Sequence, residues 1–201
     1  MEKRKKSLLI LALIAVILAG VAVGTYAFKT QSDIAHNIIT TPSGIKANVV
    51  EYAEDPDNPG QWVPYEDPDG VMPGEAISKI PVVKNTGETS FYTRARVIKE
   101  VKLPDGRQGE ASTDIMIIRY KGVDGFNTTD WTDGGDGYWY YNHPVAAGEE
   151  TAPLFDEVVF DPAMENLYQG STAYVRIHGF AVQSANNTDS ALTAKGWPAD
   201  K

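Results

Sequence analysis

The chain of 201 residues has no cysteine and a net charge of −9, with 18 Lys and Arg against 27 Asp and Glu. The lack of cysteine excludes disulfide bonds, thiol catalysis and cysteine-ligated zinc. The acidic charge argues against nucleic acid and against an anionic membrane surface as partners.

The first 27 residues have the composition of an export signal. A basic cluster at residues 3–6 precedes an uncharged, largely aliphatic run up to Phe28. This pattern predicts a signal-peptide helix over residues 1–27, with the small residues Thr25 and Ala27 placed for cleavage between Ala27 and Phe28. The run also approaches the roughly 20 residues that span a bilayer, so an uncleaved anchor is the alternative. In both cases the basic cluster favours a cytoplasmic N-terminus, and the membrane is contacted only through the uncleaved leader.

The remainder, residues 28–201, is predicted to form a single exported domain. Without the leader, which holds four basic residues and one acidic residue, 14 Lys and Arg remain against 26 Asp and Glu, a net charge of −12. A chain of this length buries one core without disulfide support. An exported domain without cysteine favours a Gram-positive bacterium, with the protein secreted or held at the cell surface.

Hydrophobic periodicity beyond the leader is two residues, which predicts β-strands. In "AYVRIHGFAVQ", alternate residues from Ala173 to Ala181 form one face, and those from Tyr174 to Phe180 form the other. "AISKIPVVKNTG" predicts a further strand, at a sheet edge or bulge because Pro81 cannot donate a ladder hydrogen bond. Turn motifs such as "DPDNPG" and "LPDG" separate many short strands. Together they predict an all-β, antiparallel, jelly-roll-like β-sandwich.

Three histidines, His36, His143 and His178, are the first candidates for chemistry. None lies in a zinc-binding spacing, and His178 falls on the polar face of its strand. No nucleophile elbow, phosphate loop or dinucleotide fingerprint follows a predicted strand. We therefore expect no catalytic residue, no metal site, no cofactor and no enzymatic activity.

Two neighbouring motifs leave alternatives open. In "DWTDGGDG", Asp130, Asp133 and Asp136 suggest either a calcium site or a hairpin turn, although no EF-hand spacing is present. In "GYWYYN", the aromatic residues 138–141 suggest either a sugar-binding platform around Trp139 or core packing and cross-strand pairs.

Three blocks, in order along the chain, carry a family resemblance. They are "KRKKSLLILALIAVILAGVAVGTYAF" with "SDIAHNIITT", then "VMPGEAISKIPVVKNTGETSFYTRARV", and finally "GYWYYNHPVAAGEETAPLFDEVVF" with "YQGSTAYVRIHGFAVQSANN". Over nearly the whole length the chain resembles the TasA/camelysin family of SipW-dependent exported proteins. The resemblance implies a jelly-roll sandwich, cleavage by a signal peptidase of SipW type, and self-association into matrix fibres in some members. The metallopeptidase activity described for camelysin has no matching metal motif here.

The resemblance also implies how subunits join: the free N-terminus of one adds as a strand to the next. In "FKTQSDIAHNIITT", strict alternation places the strongly apolar Phe28, Ile34 and Ile38 on one face, and they are the donor-strand candidates. The alternative is a leader stub at residues 28–35 followed by an ordinary first strand at residues 36–52. The expected function is a subunit of cell-surface or biofilm fibres; the alternatives are a secreted camelysin-like metallopeptidase and a monomeric adhesin or carbohydrate-binding module.

Overall fold

The structure is a computed structural model that describes residues 29–30, 38–42, 44–68, 70–164 and 166–199. The predicted signal helix, its junction at Ala27 and Phe28, and the donor candidate Ile34 lie outside these ranges. Within them, no helix combines the length and apolar character needed to cross a bilayer.

The described residues form thirteen β-strands and two 3₁₀ turns, at Asn166–Tyr168 and Ala191–Thr193. In chain order the strands are β1 (Lys29–Thr30), β2 (Ile38–Thr40), β3 (Ala47–Glu54), β4 (Trp62–Pro64), β5 (Ala76–Ser78), β6 (Ile80–Asn85), β7 (Phe91–Lys102), β8 (Met116–Tyr120), β9 (Val123–Asp124), β10 (Trp131–Asp133), β11 (Trp139–Tyr141), β12 (Glu157–Phe160) and β13 (Thr172–Gln183). The all-β class is therefore confirmed.

The first layer is built on the two longest strands. β7 and β13 pair antiparallel along their whole length, from Thr172 opposite Lys102 to Gln183 opposite Phe91. β11 and then β10 extend the sheet beyond β7 as an antiparallel hairpin. On its other side, β13 pairs with β1 and β2, and both pairings are parallel. The N-terminal strands thus depart from the antiparallel arrangement of the other ladders.

The second layer consists of two short sheets, ordered β5-β12-β8-β9 and β4-β3-β6. They meet at Lys79, the single residue between β5 and β6, whose N–H donates to the Asp156 carbonyl at 3.0 Å. The single strand predicted over "AISKIPVVKNTG" is therefore divided: β5 pairs with β12, and β6 pairs with β3. Pro81 lies in β6, at the edge of its three-stranded sheet as predicted.

One hydrophobic core lies between the layers. The predicted inward face of β13 is confirmed, because Ala173, Val175, Ile177 and Ala181 are all buried in it. The second layer supplies Val83, Met116, Ile118, Val158 and Phe160. Side chains on two facing sheets that alternate in this way make an aligned sandwich core.

A smaller cluster covers the other face of the first layer at one end. Phe180, predicted on the polar face of β13, is 2% exposed, because the C-terminal segment folds over it and brings Ala191 and Ala194. Tyr92 fastens this segment, since its hydroxyl donates to the Thr188 carbonyl at 2.9 Å. The first layer is therefore covered on both faces here, whereas Tyr174 and Arg176 near the start of β13 are half-exposed.

Candidate functional site

The candidate site is the edge of β13 that lies away from β7. Lys29 and Thr30 of β1 are aligned with Thr172 and Ala173 at the start of β13. β2 is aligned further along, with Ile39 opposite Gly179. Both strands come from the N-terminal segment that the sequence singled out, so this edge receives that segment within its own chain.

The lack of a side chain at Gly179 allows β2 to pack closely against β13. A Cβ atom on Gly179 would lie 3.3 Å from Ile39 Cδ1 and Cγ1 and 3.3 Å from Val49 Cγ2. These distances are shorter than ordinary carbon contacts, so the missing side chain provides the space that Ile39 fills. Ile39 is half-buried and packs against the main core. The edge is therefore shaped for an aliphatic side chain at this register.

The sequence analysis did not name Ile39 or Gly179. Glycine inside a strand pattern is itself a signal of close backbone approach, and "RIHGFAV" carries that signal. Ile38, the named candidate, lies in β2 at the register position opposite His178. Its neighbour Ile39 packs against the main core.

The two N-terminal pairings do not belong to one unbroken ladder. From Thr30 to Ile38 the chain advances eight residues, whereas the aligned partners Ala173 and His178 are five residues apart. Thr30 and Ile38 are therefore aligned with residues on opposite faces of β13, whereas the strict alternation used to choose the donor residues would align them with one face. The alternative of one first strand over residues 36–52 is wrong, because β2 and β3 are separate strands in different sheets.

The acidic motif "DWTDGGDG" forms a hairpin between β10 and β11. Its carboxylates are used as turn acceptors: Asp133 Oδ1 accepts from the Gly135 N–H at 2.9 Å, and Asp136 Oδ1 accepts from the Tyr138 N–H at 3.1 Å. Asp130 Oδ2 accepts from the Asn127 side-chain amide at 2.9 Å. The hairpin interpretation is confirmed.

The aromatic residues of that hairpin pack inside the protein. Tyr138 and Tyr140 are buried on the outer face of the first layer, whereas Trp139 and Tyr141 pack against the main core. Arg94 contacts both buried tyrosines. Its guanidinium is 4.1 Å from the centre of the Tyr138 ring and donates to the Tyr140 hydroxyl at 3.0 Å. The packing interpretation is confirmed, and these rings do not form an open platform.

We predict a pH-dependent contribution from Tyr140, whose hydroxyl donates to Asp136 Oδ2 at 2.8 Å. Burial raises the pKa of its phenol, Arg94 opposes that shift, and Asp136 adds to it. Because the folded-state pKa is raised, the stabilisation is complete below about pH 10 and is lost as the pH rises through the folded value. Tyr140→Phe should cost about 1 kcal/mol of unfolding free energy at pH 8. Urea titrations at pH 8 and above pH 10 should show this difference shrinking; a constant difference would contradict the assignment.

The described parts of the chain hold no group of three or more His, Asp or Glu side chains placed to bind a metal ion. His143 lies edge-on to Tyr141, with ring centres 5.7 Å apart. His178 is half-buried on the outer face of β13. His36 lies outside the described residues.

No family model, curated protein or solved structure matches this chain. The resemblance to the TasA/camelysin family therefore stands on the sequence motifs alone.

Proposed function

We propose that the protein is a secreted structural subunit of cell-surface or biofilm matrix fibres in a Gram-positive bacterium, without enzymatic activity. Subunits join by donor-strand addition, in which the N-terminal segment of one chain lies on the β13 edge of the next. The observation that carries the proposal is the parallel pairing of β1 and β2 with β13, around the space left by Gly179.

Pairing within one chain and pairing between chains use the same contacts. β2 connects to β3 through a short turn, in which Ile45 N–H donates to the Pro42 carbonyl at 3.3 Å and Gly44 has φ +94°. Opening that turn lets β1 and β2 leave their own β13 and pair with a neighbour's. The hydrogen bonds lost in one place are regained in the other, so exchange costs little at equilibrium. Because each subunit gives one segment and receives one, the contact repeats head to tail and builds a fibre.

The position of the leader explains why cleavage would control assembly. β1 begins at Lys29, immediately after the predicted junction between Ala27 and Phe28. While the leader is attached, the donor segment is tethered at the membrane and cannot reach a neighbouring subunit. A signal peptidase of SipW type is therefore the proposed partner that starts assembly.

The alternatives have less support. A camelysin-like metallopeptidase requires a metal site, and the described residues provide none. A carbohydrate-binding module around Trp139 requires exposed aromatic rings, whereas this ring is half-buried and packs against Phe126, with ring centres 4.7 Å apart.

Cysteine trapping tests strand exchange directly, because the sequence has no cysteine of its own. Lys29→Cys and Thr172→Cys introduce thiols at paired positions of β1 and β13, where the backbone spacing suits a disulfide. We expect that a mixture of the two single variants of residues 28–201, assembled and then oxidised, gives disulfide-linked heterodimers within filaments. Electron microscopy and non-reducing gels are the measurements.

Gln183→Cys, at the opposite end of β13, is the matched control and should not cross-link to Lys29→Cys. The double variant Lys29→Cys/Thr172→Cys reports pairing within a chain. Filaments that form without intermolecular cross-links would contradict donor-strand addition. A mature chain that never forms filaments, at any concentration or with isolated cell-surface material, would contradict the fibre role itself.

A further inference from the structure

A buried ion pair lies where the two short sheets of the second layer meet. Lys79 is 2% exposed, and its Nζ lies 2.6 Å from Oε1 of Glu51, whose side chain is 7% exposed. Taking both charges out of water costs more than their attraction usually returns, so apolar residues often serve stability equally well. A lysine and a glutamate held together here are therefore of interest for chemistry as well as packing.

Two further side chains complete the group. The Lys79 ammonium lies over the Tyr65 ring, 4.1 Å from its centre, and the Tyr65 N–H donates to the Glu51 carbonyl at 3.1 Å. Asp67 follows Tyr65 by two residues, and its Oδ1 is shut off from solvent. Its carboxylate is near enough that its charge acts on both Lys79 and Tyr65. A lysine and two carboxylates thus share one buried place beside an aromatic ring.

The surroundings make the Lys79 amine easier to deprotonate than a lysine in water. Burial lowers the pKa of Lys79, whereas the charges of Glu51 and Asp67 oppose that shift. A cavity of about 20 Å³ borders Tyr65 and Lys79 and is otherwise lined by apolar side chains, among them Val158 and Phe160. In such a site the cost of moving a proton from the ammonium to a neighbouring carboxylate is reduced, because neither charge is well solvated. A neutral, desolvated lysine is a nucleophile.

We propose that Lys79 and Asp67 condense into an intramolecular isopeptide bond, with Glu51 carrying the protons. Glu51 takes one proton from the Nζ ammonium and passes it to the Asp67 carboxylate, which leaves a neutral amine beside a protonated carboxyl group. Nζ then attacks Cγ of Asp67, and the new N–C bond gives a tetrahedral intermediate. Glu51, again a carboxylate, takes the second proton from nitrogen and delivers it to the hydroxyl of the intermediate, so the C–O bond breaks, the carbonyl re-forms and one water leaves. The reaction is redox-neutral and needs no other reactant.

The position of this bond indicates a stabilising role. It would tie the segment after β4 to the junction of β5 and β6, and so close the chain between Asp67 and Lys79 into a covalent loop where the two short sheets meet. A cross-link of this kind limits the freedom of the unfolded chain and resists local opening, as a disulfide does in proteins that contain cysteine. The cavity beside Lys79 has room for about one water, which suits the leaving group. The inference concerns a single chain and does not depend on fibre assembly.

Intact mass spectrometry of the purified protein is the test. We expect the wild-type chain to be lighter than its sequence mass by one water, about 18 Da. Cleavage after glutamate separates Asp67 from Lys79, because Glu75 lies between them. The cross-linked protein should then yield a branched peptide that joins residues 67–75 to residues 76–88.

Variants assign the roles. Glu51→Gln keeps the shape of the side chain but not its basicity, and it should restore the full sequence mass. Asp67→Asn should lose ammonia in place of water, about 17 Da, a signature that a purely structural carboxylate would not give. Lys84→Met is the matched control, because Lys84 in β6 also pairs with a glutamate, with its Nζ 3.7 Å from Glu150, but its side chain is 42% exposed. This variant should leave the mass deficit unchanged. A wild-type chain at its full sequence mass, or a cross-link to Glu51, would overturn the proposal.

Discussion

Replacing Trp131 by alanine should lower the free energy of unfolding by about 4 kcal/mol, the usual range for a large aromatic residue removed from a core. Trp131 begins β10 and is 1% exposed. Its indole N–H donates to the Ala152 carbonyl at 3.1 Å, and its ring lies 5.1 Å from that of Tyr141. The substitution therefore leaves both a cavity and an unpaired carbonyl at the edge of the first layer.

Trp62→Ala is the control for this prediction, because Trp62 is 45% exposed in β4 and is also next to a tyrosine ring, Tyr52 at 5.7 Å. It should cost no more than about 1 kcal/mol. Urea unfolding followed by far-ultraviolet circular dichroism compares the two variants without depending on tryptophan fluorescence. Equal losses would mean that the position of Trp131 in the core is wrongly assigned.

The long strand β13 was predictable because the alternation of residues in its own sequence indicates which face is buried. Its alternating small and apolar residues require one buried face, and a shift by a single residue would expose all of them. The burial of Ala173, Val175 and Ile177 follows directly. The burial of Phe180 was not predicted, because the C-terminal segment buries it. A local sequence pattern does not show which distant segment packs on that face.

The division of the second layer at Lys79 was beyond local sequence reasoning. "AISKIPVV" has the composition of one strand, and a lysine within it suggests a solvent-facing position. Its actual partner, Glu51, lies on another strand, and only the pairing of β3 with β6 brings the two charges together. A buried charge pair is a property of the tertiary structure, so neither its existence nor its chemistry is visible in a window of the sequence.

The extended conformation of β1 and β2 was predictable from the sequence, but their register on β13 was not. The stretch that follows the predicted leader has no Gly or Pro before Pro42, which indicates extended chain, and both β1 and β2 lie within it. The parallel direction, and the choice of Ile39 as the residue against the core, depend on which residue of β13 lacks a side chain. Gly179 was assigned to the inward face. That assignment does not show that a side chain from a neighbouring strand fills the space beside it.

Gly179→Val should therefore have the largest effect on the proposed assembly into fibres. Its backbone is in ordinary extended conformation, so the strain would arise from contact: the new Cβ would be 3.3 Å from Ile39 and Val49 before the γ-methyl groups are added. Overfilling a packed site costs about 1–3 kcal/mol. We expect β2 to be displaced from β13, amide exchange at residues 38–40 to accelerate roughly tenfold, and filaments to be lost. Gly179→Ala should lie between wild type and valine.

His178→Val is the matched control, because it places the same side chain one residue away, on the outer face of β13 opposite Ile38. It should leave exchange in β2 and filament formation close to wild type, because the space beside Ile39 is untouched. Amide exchange then tests whether β2 is held on β13, and filament formation tests whether subunits join through the same edge. Unchanged exchange in Gly179→Val would mean that Ile39 does not occupy the space beside Gly179. Accelerated exchange with normal filaments would mean that subunits join through another surface, because an edge that cannot hold β2 from its own chain cannot hold the identical strand from a neighbour.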